Sequence, residues 1–350
     1  MAGHGLTLQG NPAIVDFTGE LIAPPFETGE DRPGWKLEIV ETDDPPTPTP
    51  RAGSVPVLDL DPTRWHLMEH SADVIDVVIV EPDAVPLRLI SRPRERSATL
   101  LIPRGDEKAS RWPSRIAKLY VGSQLMRNGW LATHASSFCT DAGAVVCTAN
   151  AGNGKSTLAY LATTRYGASF MSDDMTMLSL PATGAPTALG WPKRIAIPEA
   201  LLVGRDLAGT TELRRERLAS SRLAQRPGRG PRVALDPDEH RRLFGITYAS
   251  ARPLLGVAVV ETSPGLDSVE VTTVDREEWP RVLPIMAATF SQRKYMTDIT
   301  GLFPSTGARG RDIALTDVLE RVPVLKVRMG IDAAAHADRL WEQLGKWLGF

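Results

Sequence analysis

The glycine-rich segment of residues 149–156, Ala-Asn-Ala-Gly-Asn-Gly-Lys-Ser, constrains the fold of this chain more than any other stretch. Residues 144–148 have the apolar pattern of a strand and lead into the segment, and residues 157–162 continue from it with the pattern of a helix. Gly152 and Gly154 let the backbone approach a ligand closely, so that successive N–H groups can point at one place. The helix directs its positive end to the same place. Strand, loop and helix in this order predict a phosphate-binding loop (P-loop) within an α/β fold.

The side chains that close the loop are those that a nucleoside triphosphate and Mg²⁺ require. Lys155 can reach the β- and γ-phosphates, and the hydroxyl group of Ser156 can ligate Mg²⁺. Ala149 stands where the consensus has its first glycine, and alanine is also small. The alternative is a chance glycine turn before a helix, which the flanking strand and helix argue against. The residues predicted to contact the nucleotide are Asn150, Ala151, Gly152, Asn153, Gly154, Lys155, Ser156 and Thr157.

Two adjacent carboxylates, Asp173 and Asp174, follow a short predicted strand at residues 168–172. P-loop enzymes use a carboxylate at such a strand end to hold Mg²⁺, and a second carboxylate can accept the proton of an incoming hydroxyl group. We predict that Asp173 is the base and that Asp174 joins Ser156 at the metal. The alternative is an ordinary Asp-rich turn that ends a strand, and the P-loop upstream favours the functional interpretation.

His134 lies within an apolar strand predicted over residues 130–139. A single histidine in a strand is more often a buried core residue than a catalytic one. Residues 141–143 form a tight turn from this strand into the P-loop strand, so the two strands are expected to be neighbours. His134 is therefore predicted to support the catalytic aspartates. Among the basic residues outside the loop, Arg194 is the one that we predict to stabilise charge.

The order of these segments resembles the HPr kinase/phosphorylase superfamily, in which a histidine-bearing strand precedes the P-loop and an Asp-Asp pair follows it. His134 lies 21 residues before Lys155, and Asp173 lies 18 residues after it, a spacing similar to that of the family. The closer likeness is to the HPr-kinase-like serine kinases of bacterial biosynthetic clusters, including those that act on lasso peptide precursors. It is specific over about residues 128–180. The matching segments are residues 133–135, 149–157, 172–174, 190–195 and 322–327.

This resemblance implies roles for the site residues. Lys155 and Ser156 would bind phosphate and Mg²⁺. Asp173 would be the catalytic base, and Asp174 and His134 would support it.

The chain also departs from the bifunctional enzyme of that family. Lys193 and Arg194 stand about where that enzyme has a magnesium-binding glutamate. Its regulatory N-terminal domain is not recognisable in this sequence either. The sequence therefore does not predict HPr as the substrate, nor the reverse phosphorylase reaction.

The chain divides into three predicted regions. Residues 1–54 are rich in proline and poor in periodic pattern. Residues 55–115 form a small mixed β region, with strand-like runs at 74–80 and 98–102. Residues 116–350 form the P-loop kinase-like domain. The predicted fold class is therefore α/β, with a P-loop core of HPr kinase type and a β-containing N-terminal region.

Composition narrows the class of partners. With a formal net charge of −2, the chain has no general attraction for nucleic acid or for an anionic membrane. No run reaches the roughly 18 apolar residues that a membrane span requires. The two cysteines, Cys139 and Cys147, cannot form a disulfide framework and fit a reducing compartment. We therefore predict a cytoplasmic protein without nucleic-acid or membrane partners, and the sequence leaves homo-oligomerisation open.

These observations predict an ATP- and Mg²⁺-dependent kinase that transfers the γ-phosphoryl group to a hydroxyl group. The phosphoacceptor would be a serine or threonine of a peptide, or a small biosynthetic metabolite. The rival is a nucleotide-dependent switch or ATPase module that has no phosphoacceptor. The guanine-reading Asn-Lys-x-Asp motif is absent from the sequence, which argues against a GTPase.

Overall fold

A computed structural model of the chain shows a mixed α/β fold with several sheets. One predicted site residue, Arg194, lies outside the residues that the structure describes. The described residues are 5–23, 26, 29, 34–43, 58–60, 63–81, 84–106, 108–181, 184–191, 195–198, 232–287, 300, 308–330 and 332–350.

The strands and helices are numbered in chain order. The strands of the first half are β1 (Leu6–Gln9), β2 (Trp35–Thr42), β3 (Leu58–Leu60), β4 (Thr63–His70), β5 (Ile75–Val80), β6 (Leu87–Arg92), β7 (Ser97–Pro103), β8 (Trp130–Thr133), β9 (Ala135–Thr140), β10 (Gly143–Thr148) and β11 (Ser169–Ser172). The later strands are β12 (Thr176–Ser179), β13 (Thr187–Gly190), β14 (Ile195–Pro198), β15 (Arg232–Leu235), β16 (Arg252–Thr262), β17 (Val269–Thr273) and β18 (Val324–Met329). The α-helices are α1 (Pro12–Ile22), α2 (Trp112–Arg127), α3 (Lys155–Arg165), α4 (Pro237–Phe244), α5 (Trp279–Ala287), α6 (Ala308–Leu319) and α7 (Ala337–Leu348).

One compact unit comprises Met1–Ile22, Thr28–Thr133 and Ala287–Asp317 and contains a seven-stranded sheet. Its strand order is β1-β2-β7-β6-β5-β4-β3. The first three of these strands run parallel to one another, and the strands from β7 to β3 pair antiparallel. The unit therefore joins strands that lie far apart in the sequence.

Helix α2 belongs to this unit because it contributes to the same hydrophobic core as the sheet. Trp112, Ile116 and Tyr120 of α2 are buried together with Trp35 and Leu37 of β2. The ring centroids of Trp35 and Tyr120 are 4.8 Å apart. The contacts consequently divide the chain after Thr133, and not at the predicted boundary between residues 115 and 116.

The N-terminal region also differs from the prediction of a pattern-poor segment over residues 1–54. Helix α1 begins at Pro12, where proline fits the first turn, and the Ala13 N–H donates to Asn11 Oδ1 at 3.1 Å. Strand β2 alternates buried and exposed residues along its first half. Because β2 pairs in parallel with β7, residues on both sides of the predicted boundary at 54/55 belong to one sheet.

The other compact unit comprises Ala23–Glu27, His134–Met286 and Val318–Phe350. Its strands run in the order β11-β9-β10-β16-β13-β12, and β18 pairs with β16 and β17. Strands β10, β16 and β18 are parallel. Strand β9 is antiparallel to both β10 and β11, so the end of β11 lies at the same edge as the end of β10. This edge carries the residues discussed below.

Helices α3 and α7 share a core with this sheet. Leu158 and Leu161 of α3 are buried in one cluster with Leu340 and Leu344 of α7 and with residues of β10, β16 and β18. Each fully buried leucine side chain contributes about 1.5–3 kcal/mol of hydrophobic stabilisation. The start of α3 is therefore held by packing along the length of the helix.

The predicted elements around the glycine-rich segment are confirmed. Residues 144–148 lie in β10, the helix after the segment is α3, and β11 ends immediately before Asp173. The predicted single strand over residues 130–139 is instead interrupted at His134, which separates β8 from β9. None of the helices in the described ranges combines the length and the apolar character needed to cross a bilayer.

Candidate functional site

The candidate site lies where β9, β10 and β11 meet at one edge of their sheet. Thr148, the last residue of β10, pairs with Ala135 at the start of β9. Ser172, the last residue of β11, pairs with Ser137 of β9. The glycine-rich loop, His134 and the aspartate pair consequently lie side by side.

The loop between β10 and α3 depends on two glycines. Gly152 and Gly154 both have a φ of +92°, a left-handed conformation that favours glycine. A Cβ atom on Gly154 would lie 2.8 Å from Met329 Cε and 3.3 Å from Thr262 Oγ1. The Asn153 N–H donates to the Asn150 carbonyl at 3.1 Å and closes the loop. The left-handed turn therefore requires glycine at position 154, whereas Met329 Cε, at the end of a flexible side chain, can shift.

Helix α3 begins at the end of this loop without a side-chain cap. Its cap residue is Gly154, which has no side chain to accept hydrogen bonds from the N–H groups of the first turn. Asn150, Ala151, Gly152 and Thr157 are exposed, whereas Lys155 and Ser156 are partly buried. The loop and the positive end of the helix are therefore accessible to an anion.

Asp173 is held by two serines. The hydroxyl groups of Ser156 and Ser136 both donate to Asp173 Oδ1, at 2.6 Å and 2.8 Å. Among the residues that the structure describes, no side chain donates to Oδ2. The carboxylate that contacts Ser156 is therefore Asp173, and the metal role of Asp174 stays a prediction. The reason for this contact is that β11 places Asp173 toward the start of α3 and the chain turns at Asp174.

Asp174 contacts the other predicted site residues. Its Oδ1 lies 3.0 Å from His134 Nε2 and 3.7 Å from Lys155 Nζ. The two adjacent aspartates thus point to different partners, with Asp173 on the serines and Asp174 on the histidine and the lysine. Because the Asp174 side chain is 37% exposed, solvent screens its attraction to Lys155.

The backbone of His134 is fixed on both sides. Its N–H donates to the Met286 carbonyl at 2.7 Å, and Thr148 Oγ1 donates to its carbonyl at 3.2 Å. The bond to Met286 accounts for the interruption between β8 and β9, because it uses the only backbone N–H of His134. The imidazole is therefore held toward Asp174.

Sequence reasoning missed Ser136 and His240. Ser136 lies two residues after His134, and in the single strand predicted over residues 130–139 this spacing places both side chains on one face, which was the available signal. His240 of α4 is buried, its Nδ1 lies 2.9 Å from Tyr248 Oη, and burial lowers its pKa to about 4 against the opposing effect of the Asp173 charge. It is neutral near pH 7 and contributes no positive charge to the site. No sequence pattern linked α4 to this site.

The residues present fit Mg²⁺ bound together with phosphates. Within the described ranges there is no cluster of three or more His, Cys, Asp or Glu side chains that could hold a metal ion by themselves. Mg²⁺ is usually held by one or two protein oxygens together with substrate phosphates and water. The Ser156 hydroxyl group, which Asp173 Oδ1 holds in place, supplies an oxygen of this kind at the start of the helix.

Asp174 has a φ of +71°, which is unusual for a residue other than glycine. We expect Asp174→Gly to be more stable than Asp174→Ala by about 1 kcal/mol, because only glycine adopts this conformation without steric cost. Both variants remove the same carboxylate, and the greater flexibility of glycine in the unfolded chain opposes this difference. Urea denaturation of the two variants measures the net effect. A higher midpoint for Asp174→Ala would contradict the expectation.

Comparisons with known proteins give structural matches only. No family model matches the chain, and no curated protein matches it. The structure is similar to the HPr(Ser) kinase/phosphatase from Coxiella burnetii, with 12% sequence identity and a TM-score of 0.28, over 62% of this chain and 97% of that one. A TM-score this low does not by itself establish a shared fold. The assignment of the site therefore depends on the geometry described above.

Proposed function

We propose that this chain is a P-loop kinase of the HPr kinase type, which phosphorylates a hydroxyl group with ATP and Mg²⁺. The observation that supports this proposal best is the arrangement around Asp173. One oxygen of this carboxylate is held by Ser156, in the first turn of the loop helix, and by Ser136. Among the described residues no side chain donates to its other oxygen, which we assign to an incoming hydroxyl group. P-loop ATPases and switches also place a carboxylate beside the P-loop serine to hold Mg²⁺, so a kinase is distinguished by transfer to an acceptor hydroxyl group.

The proposed chemistry uses residues of this chain in distinct roles. ATP supplies the phosphoryl group, and Mg²⁺ offsets the negative charge of the phosphates. The N–H groups of residues 150–157 and the Lys155 ammonium group bind the phosphates. Ser156 holds the metal, and Asp173 Oδ1 holds the hydroxyl group of Ser156 in place. Asp173 Oδ2 accepts the proton of the acceptor hydroxyl group.

Asp174 and His134 position the site in this proposal. Asp174 lies against both the imidazole and the lysine, so it can orient Lys155 before phosphates arrive. The place of Asp174 at the metal, beside Ser156, stays a proposal from the sequence. Arg194 keeps its proposed role as a charge stabiliser, on the sequence alone.

The proposed acceptor is a serine or threonine of a peptide, or a small biosynthetic metabolite. The proposal places the protein in the cytoplasm, without nucleic-acid or membrane partners. An HPr-kinase-like enzyme of a biosynthetic cluster would find its acceptor among the products of neighbouring genes.

The test is transfer of labelled phosphate. With γ-labelled ATP and Mg²⁺, we expect the label to appear in a phosphate monoester on a peptide or metabolite encoded or made by the genomic neighbourhood. The control is the same reaction with each acceptor hydroxyl group removed, for example serine replaced by alanine. Release of free phosphate alone, with every acceptor, would favour the rival ATPase or switch.

A further inference from the structure

A cavity of about 270 Å³ lies beside the glycine-rich loop, on the side away from the aspartates. One wall is formed by the loop residues Ala149, Asn150 and Asn153. The opposite wall is formed by Val259–Ser263, at the end of β16, and by Ile285 of α5. The cavity therefore continues directly from the place where phosphates are proposed to bind.

The strand order determines which part of a nucleotide can reach this cavity. Along the sheet edge the order is β11, β9, β10, β16, and neighbouring strands lie about 4.8 Å apart. Asp173 follows β11, two strands from the loop strand β10, whereas the cavity lies at β16, one strand from β10 on the other side. A linear triphosphate with its γ-phosphate near Asp173 must extend its other end toward β16. A phosphoacceptor in the cavity would lie near the α-phosphate and not near the γ-phosphate that is transferred.

The lining combines the two kinds of surface that a nucleoside presents. Val259 and Ile285 are apolar and suit the faces of a flat base. Glu261, Thr262 and Ser263 are polar and suit ribose hydroxyl groups. The volume is too small for a folded partner and is in the range of a small-molecule subsite.

Glu261 is positioned to accept hydrogen bonds. Its Oε1 lies 3.3 Å from Lys326 Nζ, which restrains the carboxylate. Within the described ranges, Oε2 has no ion-pair or hydrogen-bond partner. A carboxylate has about four lone-pair sites, so it can accept from vicinal hydroxyl groups while it is paired with Lys326.

We propose that this cavity binds the nucleoside of the triphosphate, and that the Glu261 carboxylate accepts hydrogen bonds from the ribose hydroxyl groups. The inference rests on the proposed nucleotide binding and adds to it a ribose-reading residue. Glu261 would then account for a preference for ribonucleotides over deoxyribonucleotides. The apolar part of the cavity, beside Ile285, would account for the contribution of the base to the affinity.

The test compares three probes by calorimetry in the presence of Mg²⁺: ATP, 2′,3′-dideoxyadenosine triphosphate and inorganic tripolyphosphate. We expect wild-type protein to bind ATP about tenfold more tightly than the dideoxy nucleotide. A hydrogen bond to a charged group changes the dissociation constant by about this factor. Glu261→Ala should remove this difference. Glu270→Ala is the matched control, because Glu270 is also ion-paired, to Arg328, and its side chain is 47% exposed against 44% for Glu261.

A second variant tests the cavity itself. Ile285→Trp should fill it and lower the affinity for ATP to that for tripolyphosphate, while the affinity for tripolyphosphate stays unchanged. If tripolyphosphate and ATP both fail to bind wild-type protein, the proposed function is wrong. If both bind and neither Glu261→Ala nor a folded Ile285→Trp changes the affinity for either nucleotide, the loop assignment stands and the inference about the cavity is overturned.

Discussion

Replacing Asp173 by asparagine is expected to lower the rate of phosphoryl transfer by about 10²–10⁴-fold, the usual effect of losing a positioned base. The asparagine carbonyl oxygen can still accept hydrogen bonds from Ser136 and Ser156, so the local structure should survive. The amide nitrogen then replaces Oδ2 and cannot accept a proton. Affinity for ATP with Mg²⁺ should therefore change little. Single-turnover rates and calorimetry on the same preparation measure the two quantities.

Asp174→Asn is the matched control for this substitution. It changes the neighbouring residue in the same way, but the carboxylate it removes contacts Lys155 and His134. We expect it to alter nucleotide affinity or metal dependence more than the rate of the chemical step. A near wild-type rate for Asp173→Asn, or a larger rate loss for Asp174→Asn, would contradict the division of roles between the two aspartates.

Replacing Lys155 by alanine is expected to abolish most of the turnover with ATP. Lys155 is the first residue of α3 and supplies a positive charge at the loop, where the cap residue has no side chain. Its Nζ lies 3.7 Å from Asp174 Oδ1, so the ammonium group is held at the site and not in bulk solvent. Transition-state charge on the phosphates would lose its nearest cation, and a group of this kind typically contributes several kcal/mol. Steady-state turnover at saturating ATP measures the loss.

The control for Lys155→Ala is Lys346→Ala on α7. Lys346 forms an exposed ion pair with Glu342 one helical turn away, at 2.8 Å, and such pairs contribute little to stability. It should leave turnover unchanged, and both variants should melt close to the wild-type temperature. A folded Lys155→Ala protein with wild-type turnover would show that the loop does not bind the reacting phosphates.

The local part of the site could be predicted from the sequence because its determinants are contiguous. Residues 144–165 form strand, glycine loop and helix in succession, and each step depends on neighbouring residues only. The tight turn between β9 and β10 was equally local, so His134 was expected beside the loop. These interactions need no knowledge of distant pairings.

The remaining features depend on contacts between distant residues. The pairing of β2 with β7 joins residues about sixty positions apart in parallel register, and no local pattern specifies such a pairing. The partner of Ser156 depends on how the chain turns at Asp174, whose left-handed backbone is not visible in a sequence. The buried position of His240 beside Phe170, with ring centroids 5.2 Å apart, requires α4 to pack against β11. The role of Arg194 stays a prediction from the sequence.

The most direct test of the central claim is a calorimetric titration of the wild-type protein with ATP, with and without Mg²⁺. We predict saturable binding at one site per chain, tightened by Mg²⁺ and lost in Lys155→Ala. The reason is that the loop, Lys155 and Ser156 supply both the phosphate contacts and the metal oxygens. Absence of saturable binding by folded wild-type protein at millimolar ATP and Mg²⁺, or equal binding by Lys155→Ala, would contradict it.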